Sequence, residues 1–232
     1  MQTDDDCSAC AANNVFDIFS GMPINSKINR IIRISPELDG LEMLYGNDNT
    51  SRIYSLKIVC WALFENGEVT GMVPWLNGII PCFILDDPLN GHWEGYRDPG
   101  TDDIFFNPPQ HKLLELKAAS EYFGQDEKSS EVVIQEIPDC IGTHAVLANK
   151  HHKSFMLSEV NSWRLTGDGI IHGMLTDQSL MHSTPVLPGD DCLYSAQKHP
   201  HFRYFFQHRI ANKIKERDPE ALAAISLLMS GN

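Results

Sequence analysis

The stretch from Asp86 to Asp103 carries the densest set of groups that could do chemistry: Asp86, Asp87, His92, Trp93, Glu94, Tyr96, Arg97, Asp98, Asp102 and Asp103, with three glycines between them. A hard divalent cation such as Mg²⁺ or Ca²⁺ takes several oxygen ligands at once. His92, Glu94, Asp98, Asp102 and Asp103 are therefore the candidate metal set. The spacing fits no calcium loop, and Asp98-Pro-Gly is ordinary turn chemistry, so a solvated loop is the plainer reading. A second group, Lys198, His199, His201 and Arg203, is basic where the first is acidic. If the two segments share a cleft, His92, Trp93, Glu94 and Tyr96 would face these four as a ligand-binding set, the aromatic rings stacking and the charges orienting the ligand.

Other reactive residues read more blandly. His151 and His152 are adjacent, and adjacent side chains of a strand point to opposite faces, so they are expected at the surface. His172 and His182 fall in extended stretches and are expected as half-buried, hydrogen-bonded groups. Cys7 and Cys10 form a single C-x-x-C without the second ligand pair that a structural zinc site needs. Cys60 and Cys82 sit in apolar runs and read as small core residues. No glycine-rich phosphate loop, G-x-S-x-G or H-E-x-x-H is present. Seryl and cysteinyl nucleophiles stay open, because their partners come from distant positions. The sequence indicates no cofactor.

The chain has 232 residues, 42% hydrophobic and 21% charged, a globular composition. Its 18 Lys and Arg against 31 Asp and Glu give a net charge of -13, which opposes non-specific attraction to nucleic acid or anionic lipid. No apolar run approaches the ~20 residues that a membrane-spanning helix needs. Met1 to Asp6 is acidic where a secretory leader is basic. The expectation is a cytoplasmic protein that engages neither membrane nor nucleic acid.

Sliding the sequence against itself reveals an offset of 102 residues, running without gaps from Ile31–Val73 to Val133–Leu175. The identities are Pro36/Pro138, Gly40/Gly142, Asn47/Asn149, Trp61/Trp163, Leu63/Leu165, Gly67/Gly169, Gly71/Gly173 and Met72/Met174. Eight matches exceed the two or three expected from residue frequencies of roughly 6%, and shared Gly and Pro imply shared turns. A duplicated module is the expectation. Asn66-Gly67 and Asp168-Gly169 each sit between alternating runs and predict a tight hairpin. Gly71 and Gly173 are placed to let a strand bend or to admit a bulky neighbour.

Before each hairpin lie two strand candidates, residues 30–34 and 42–45, then 132–136 and 144–147. After it come further extended stretches, 79–85 and 180–187, and then a helix. In the first copy Asn107-Pro108 starts that helix, Leu113, Leu116, Ser120 and Phe123 form its inner face, and Gly124 stops it. In the second copy Phe202, Phe206, Ile210 and Ile214 follow i+4 spacing, and Phe205-Phe206 aligns with Phe105-Phe106. Leu222, Ile225 and Met229 mark a final helix, and residues 15–19 a short early one.

The expected fold is thus α+β: two tandem copies of an antiparallel β-meander followed by a helix, related by an approximate two-fold. The expected divisions are 1–27, a tail with a short helix; 28–124, the first module; and 125–232, the second module with an extra C-terminal helix. The expected function is a non-catalytic binding or adaptor protein with a protein or small-molecule ligand. The alternative is a divalent-metal-dependent hydrolase-like enzyme using the acidic loop 86–103.

Overall fold

The computed structural model describes residues 29–47, 52–75, 78–82, 92–123, 129–149, 154–176 and 193–206, with positions 223, 226 and 227. The expected early helix, the stretch 180–187 and nearly all of the C-terminal helix lie outside them.

Among the described residues, fifteen strands and one long helix follow in chain order: β1 Ile31–Pro36, β2 Glu42–Asn47, β3 Arg52–Lys57, β4 Cys60–Phe64, β5 Val69–Trp75, β6 Gly78–Pro81, β7 His92–Arg97, β8 Ile104–Phe105, α1 Gln110–Phe123, β9 Val133–Pro138, β10 His144–Asn149, β11 Ser154–Glu159, β12 Ser162–Thr166, β13 Ile171–Thr176, β14 Leu193–Ser195 and β15 Phe202–Phe206. They build four small antiparallel sheets in a propeller-like ring. The orders are β1-β4-β5-β6, β3-β2-β7-β8, β14-β13-β12-β9 and β11-β10-β15.

This corrects the α+β expectation of tandem meanders with helices. The protein is mostly β. The chain does not meander: β1 passes over the β2–β3 hairpin to pair with β4, so each half spreads its strands over two sheets. The second helix of the expected pair begins instead as β15, a Phe-Arg-Tyr-Phe-Phe strand of aromatic β-formers. Phe205 corresponds in register to Tyr96 of β7, not to Phe105. Nor does packing between the halves obey a simple two-fold. A Cβ on Gly169 would meet Arg30 Cγ at 2.5 Å, whereas one on Gly67 would meet nothing within 4 Å.

The pairings themselves recur. Ser35↔Trp61 and Trp61↔Gly71 in the first sheet become Ile137↔Trp163 and Trp163↔Gly173 in the third, with the same register slip before the first strand's third residue. Leu44↔Ser55 becomes Val146↔Leu157. The later strands recur at wider offsets: Met43↔Tyr96 becomes Ala145↔Phe205, and Val73↔Ile80 becomes Leu175↔Tyr194. Gly67 and Gly169 hold φ near +80°, the conformation a tight hairpin requires.

Two core clusters fill the ring, and each takes residues from both halves. The first gathers Met43, Tyr45, Leu56, Trp61, Tyr96 and Leu116 with Val146 and Phe206. The second gathers Trp163, Leu165, Leu175 and Phe205 with Ile34, Ala62 and Met72. Both buried indoles are anchored by a carboxylate. Trp61 Nε1 donates to Glu37 at 2.5 Å and Trp163 Nε1 to Asp139 at 2.8 Å, and the same carboxylates accept the N–H groups of Leu41 and Thr143 that close the following turns. Buried donors are thereby satisfied and turn and core locked together. Across the halves, the Gln135 amide exchanges two hydrogen bonds with the backbone of Ile34, at 2.7 and 3.0 Å, extending the pairing past the outer side of β1.

Candidate functional site

The acidic stretch is not one loop. Residues 83–91, including Asp86 and Asp87, lie outside those described, and His92–Arg97 is strand β7, paired with β2 on one side and β8 on the other. Asp98 to Asp103 is the turn between β7 and β8. Asp98 Oδ1 accepts the Gly100 N–H at 2.8 Å, Asp98 N donates to the Asp103 carbonyl, and Asp102, at φ 63°, places its carboxylate 2.5 Å from Arg97 Nη2. Asp102, with Glu42 at 3.7 Å, holds the Arg97 guanidinium pKa above its usual range, the Asp102 hydrogen bond acting most. The turn carboxylates thus close the backbone and bind an arginine. Among the described residues no group of three His, Cys, Asp or Glu is arranged to hold a metal ion.

Of the ligand set, Trp93 and Tyr96 do come together. Their rings meet edge to face at 5.3 Å, Trp93 reaches Phe106 at 6.4 Å, and Tyr96 packs on Trp61 at 4.9 Å and Phe105 at 5.8 Å. Tyr96 is fully buried, so it is a core residue. Gly71 makes room for its ring, since a Cβ there would lie 3.0 Å from Tyr96 Cε1. The phenol oxygen accepts the Gly71 N–H at 3.1 Å and lies 3.2 Å from Thr70 Oγ1. Burial, then the Cys82 thiol nearby, pushes the phenol's pKa far above its ordinary value.

Glu94 is the extra residue of a β-bulge, since Leu44 pairs with Gly95 and Tyr45 with Trp93. Its carboxylate lies over Gly46, 2.6 Å from where a Cβ would stand. For His92 the strand position alone is described.

The basic group sits at the matching place in the other half. Lys198 ends a 3-10 turn, Ala196–Lys198, and His199 to Phe202 leads into β15. The Tyr194, His199 and His201 rings follow one another at 5.4 Å spacings, and His199 Nδ1 accepts the His201 N–H at 3.1 Å. Arg203 is again the extra residue of a bulge, because Val146 pairs with Tyr204 and Leu147 with Phe202. Its Nε is buried and has no hydrogen-bond partner among the described residues. The two candidate segments are therefore counterpart strands of separate sheets, His92 matching His201 and Glu94 matching Arg203.

His172 was expected as a satisfied, half-buried histidine. It is buried, with Nδ1 3.1 Å from Ser195 Oγ. Burial, then Lys198, lowers its pKa, Arg164 acting the same way and Asp168 against them. His151, His152, His182, Cys7 and Cys10 lie outside the described residues. Comparison with known protein families, curated proteins and solved structures finds no match to the chain.

Sequence reasoning missed the apolar surface beside β7. Leu38, Ile104, Phe106 and Leu114 are all exposed, Phe106 at 67% and Leu114 at 62%. They lie on the turn after β1, on β8 and directly after it, and in the second turn of α1, and His111 Nε2 to Asp39 Oδ2 at 2.9 Å ties that first turn to the helix. The signal was the run Ile104-Phe105-Phe106, in which alternation places the first and third side chains opposite the second.

Proposed function

We propose that this protein is a non-catalytic binding or adaptor protein, and that its ligand is a protein segment docking on the apolar surface of Leu38, Ile104, Phe106 and Leu114. The observation that supports this reading is that four large apolar side chains are exposed on neighbouring elements, the turn after β1, the end of β8 and α1, with Asp39 bound to His111 between turn and helix and Phe106 meeting the Trp93 ring at 6.4 Å, since single apolar residues are normal at a surface and clustered ones mark an interaction site. The engagement of the Asp98 carboxylate by the turn backbone and of Asp102 by Arg97 favours it over the metal-dependent hydrolase. Cytoplasmic placement belongs to the same reading, supported by the thiols of Cys60 and Cys140, which form no disulfide among the described residues. Among the described residues no helix is long and apolar enough to cross a membrane. The net charge of -13 supports a partner other than nucleic acid or lipid. We also infer that the halves are copies of one unit, because recurrence of both pairing register and bulge position is not a consequence of turn residues alone.

The test places a photo-crosslinking residue at Phe106 and, as control, at exposed Glu131. Adducts formed at 106 and lost on adding Leu114→Ser support the reading. Equal labelling at both sites overturns it. A divalent ion bound stoichiometrically to the native chain, and lost together with a hydrolytic activity in His92→Ala/Glu94→Ala, would instead establish the enzyme.

A further inference from the structure

The turn that leads into β15 gathers cations in a chain whose net charge is -13. Two successive reversals fold it: the His199 N–H donates to the Ala196 carbonyl and the Phe202 N–H to the His199 carbonyl, each at 3.0 Å. Lys198, His199, His201 and Arg203 are carried on this short stretch, and the His199 and His201 rings lie 5.4 Å apart. Lys198 is exposed, and its charge reaches His172 in β13, where it adds to burial in opposing protonation. Arg203 is half-buried with its Nε covered. Among the described residues no carboxylate pairs with Lys198 or with Arg203. Two acids of the third sheet and its hairpin are engaged elsewhere, Glu136 by Arg164 and Ser162, and Asp168 by Thr166 and the Ile170 N–H.

We propose that the turn from Lys198 to Arg203 is a binding site for a small ligand carrying a phosphate monoester. Binding here does not depend on the docking surface at Phe106. A guanidinium is a planar fork of donors suited to oxyanions, and an ammonium is a compact charge that adds to it. Buried donors are as a rule satisfied, and the covered Nε of Arg203 has no acceptor among the described residues. A ligand oxygen placed beside it gains a charge-assisted hydrogen bond from a donor that folding has already taken out of water.

Charge and donor number favour phosphate over carboxylate. Arg203, Lys198 and the His201 imidazole together offer more donors than two carboxylate oxygens take up, whereas a phosphate monoester brings three terminal oxygens and close to two negative charges. The field of the whole chain repels anions, so attraction must act at short range, within the screening length of about 8 Å at physiological salt. The same bulge in the first half carries Glu94, so the corresponding place there has the opposite sign.

The probe is phenyl phosphate, with benzoate as the carboxylate control, titrated into the full chain and followed by calorimetry and amide chemical shifts. Phenyl phosphate should occupy one saturable site, at least about tenfold more tightly than benzoate, with shifts at Lys198 to Tyr204 and none at His92 to Arg97. Arg203→Gln should weaken it about tenfold, the loss of one charge-assisted contact, and Lys198→Gln less. Lys117→Gln, the same charge change at an exposed position of α1, should leave affinity unchanged. Each variant is first matched to the native chain in its thermal transition. If Arg203→Gln fails that match, the exposed Lys198→Glu carries the test and should weaken binding about tenfold. No saturable binding, affinity unchanged in the folded variants, or an equal loss in Lys117→Gln overturns the proposal. The Phe106→Ser/Leu114→Ser chain should bind phenyl phosphate as the native chain does, and loss of binding there overturns the assignment to this turn.

Discussion

At one point of the framework the two halves solve the same problem with different atoms. In the first half the N–H of Gly71 lies beyond the last β5–β6 pair, Met72↔Pro81, and the Tyr96 hydroxyl accepts it. In the second half the corresponding ring is Phe205, without a hydroxyl. There Gln197 takes over: its Oε1 accepts the Gly173 N–H at 3.0 Å and its Nε2 donates to the Ile171 carbonyl at 2.9 Å. The aromatic ring and the glycine that admits it recur, while the partner of the buried N–H differs. Ring packing is thus common to both halves, and polar satisfaction is met locally by whatever reaches.

The comparison breaks most visibly if the two tryptophans are not equivalent. Trp61→Ala and Trp163→Ala should each cost about 3–5 kcal/mol, because each removes a fully buried indole and strips a carboxylate, Glu37 or Asp139, of a donor. Urea unfolding of both variants checks this. A large loss at one site with almost none at the other would mean that only one half forms the core.

The glycines sharpen it. A Cβ at Gly173 would lie 2.7 Å from Phe205 Cε1 and 3.0 Å from Trp163 Cζ3, against 3.0 Å from Tyr96 Cε1 at Gly71. Gly173→Ala should lose about 1–3 kcal/mol and Gly71→Ala less, with the order read from denaturant midpoints. The reverse order would show that the second ring moves more freely than its packing implies.

Parts of this were legible from sequence and parts were not, for physical reasons. The hairpins of Gly67 and Gly169 were legible because turn chemistry is local. The two tryptophan anchors and, on the inner face of α1, Leu113 and Leu116 were legible too, although the helix starts at Gln110, where the Pro109 carbonyl takes the Lys112 and Leu113 N–H groups. Strand β7 was hidden by its bulge, which interrupts alternation at Glu94 and Gly95. In β15 the spacing of Phe202 and Phe206 satisfies both periods, since four residues is about one helical turn and two strand repeats. The sheets were beyond reach, as β1 chooses β4 over its neighbour β2 through tertiary packing alone. At the candidate site, residue types singled out the two segments, but as a loop and as the start of a helix, and nothing local showed that Asp102 serves Arg97 or that Arg203 occupies the place of Glu94.

Smaller effects test the exchange of partners. Tyr96→Phe leaves the buried Gly71 N–H without its acceptor, and Gln197→Ala does the same to Gly173 and also frees the Ile171 carbonyl. Each should cost about 1–2 kcal/mol, the penalty of an orphaned buried group. Phe205→Tyr in the Gln197→Ala background should recover part of the loss if the halves share geometry. No recovery in thermal unfolding would mean that the ring sits differently in the second half.

The smallest expected difference is a pH dependence confined to one half. His172 occupies the register position of Thr70, which does not titrate there. Burial first, then Lys198, with Arg164 adding and Asp168 opposing, holds the folded imidazole below its ordinary pKa. The unfolded chain therefore takes up a proton near pH 6.5 before the folded one does. The resulting stability is complete above that pH and is lost as pH falls through the folded pKa. Protonation would also remove any acceptor role of Nδ1 toward Ser195, the pair that borders the β13–β14 edge. Amide exchange compared at neutral and mildly acidic pH, after correction for intrinsic rates, should show β13 and β14 losing protection while β5 and β6 keep theirs. His172→Gln should level the two halves. Equal acid sensitivity in β5, or an unchanged slope in His172→Gln, would assign the effect to groups other than this imidazole.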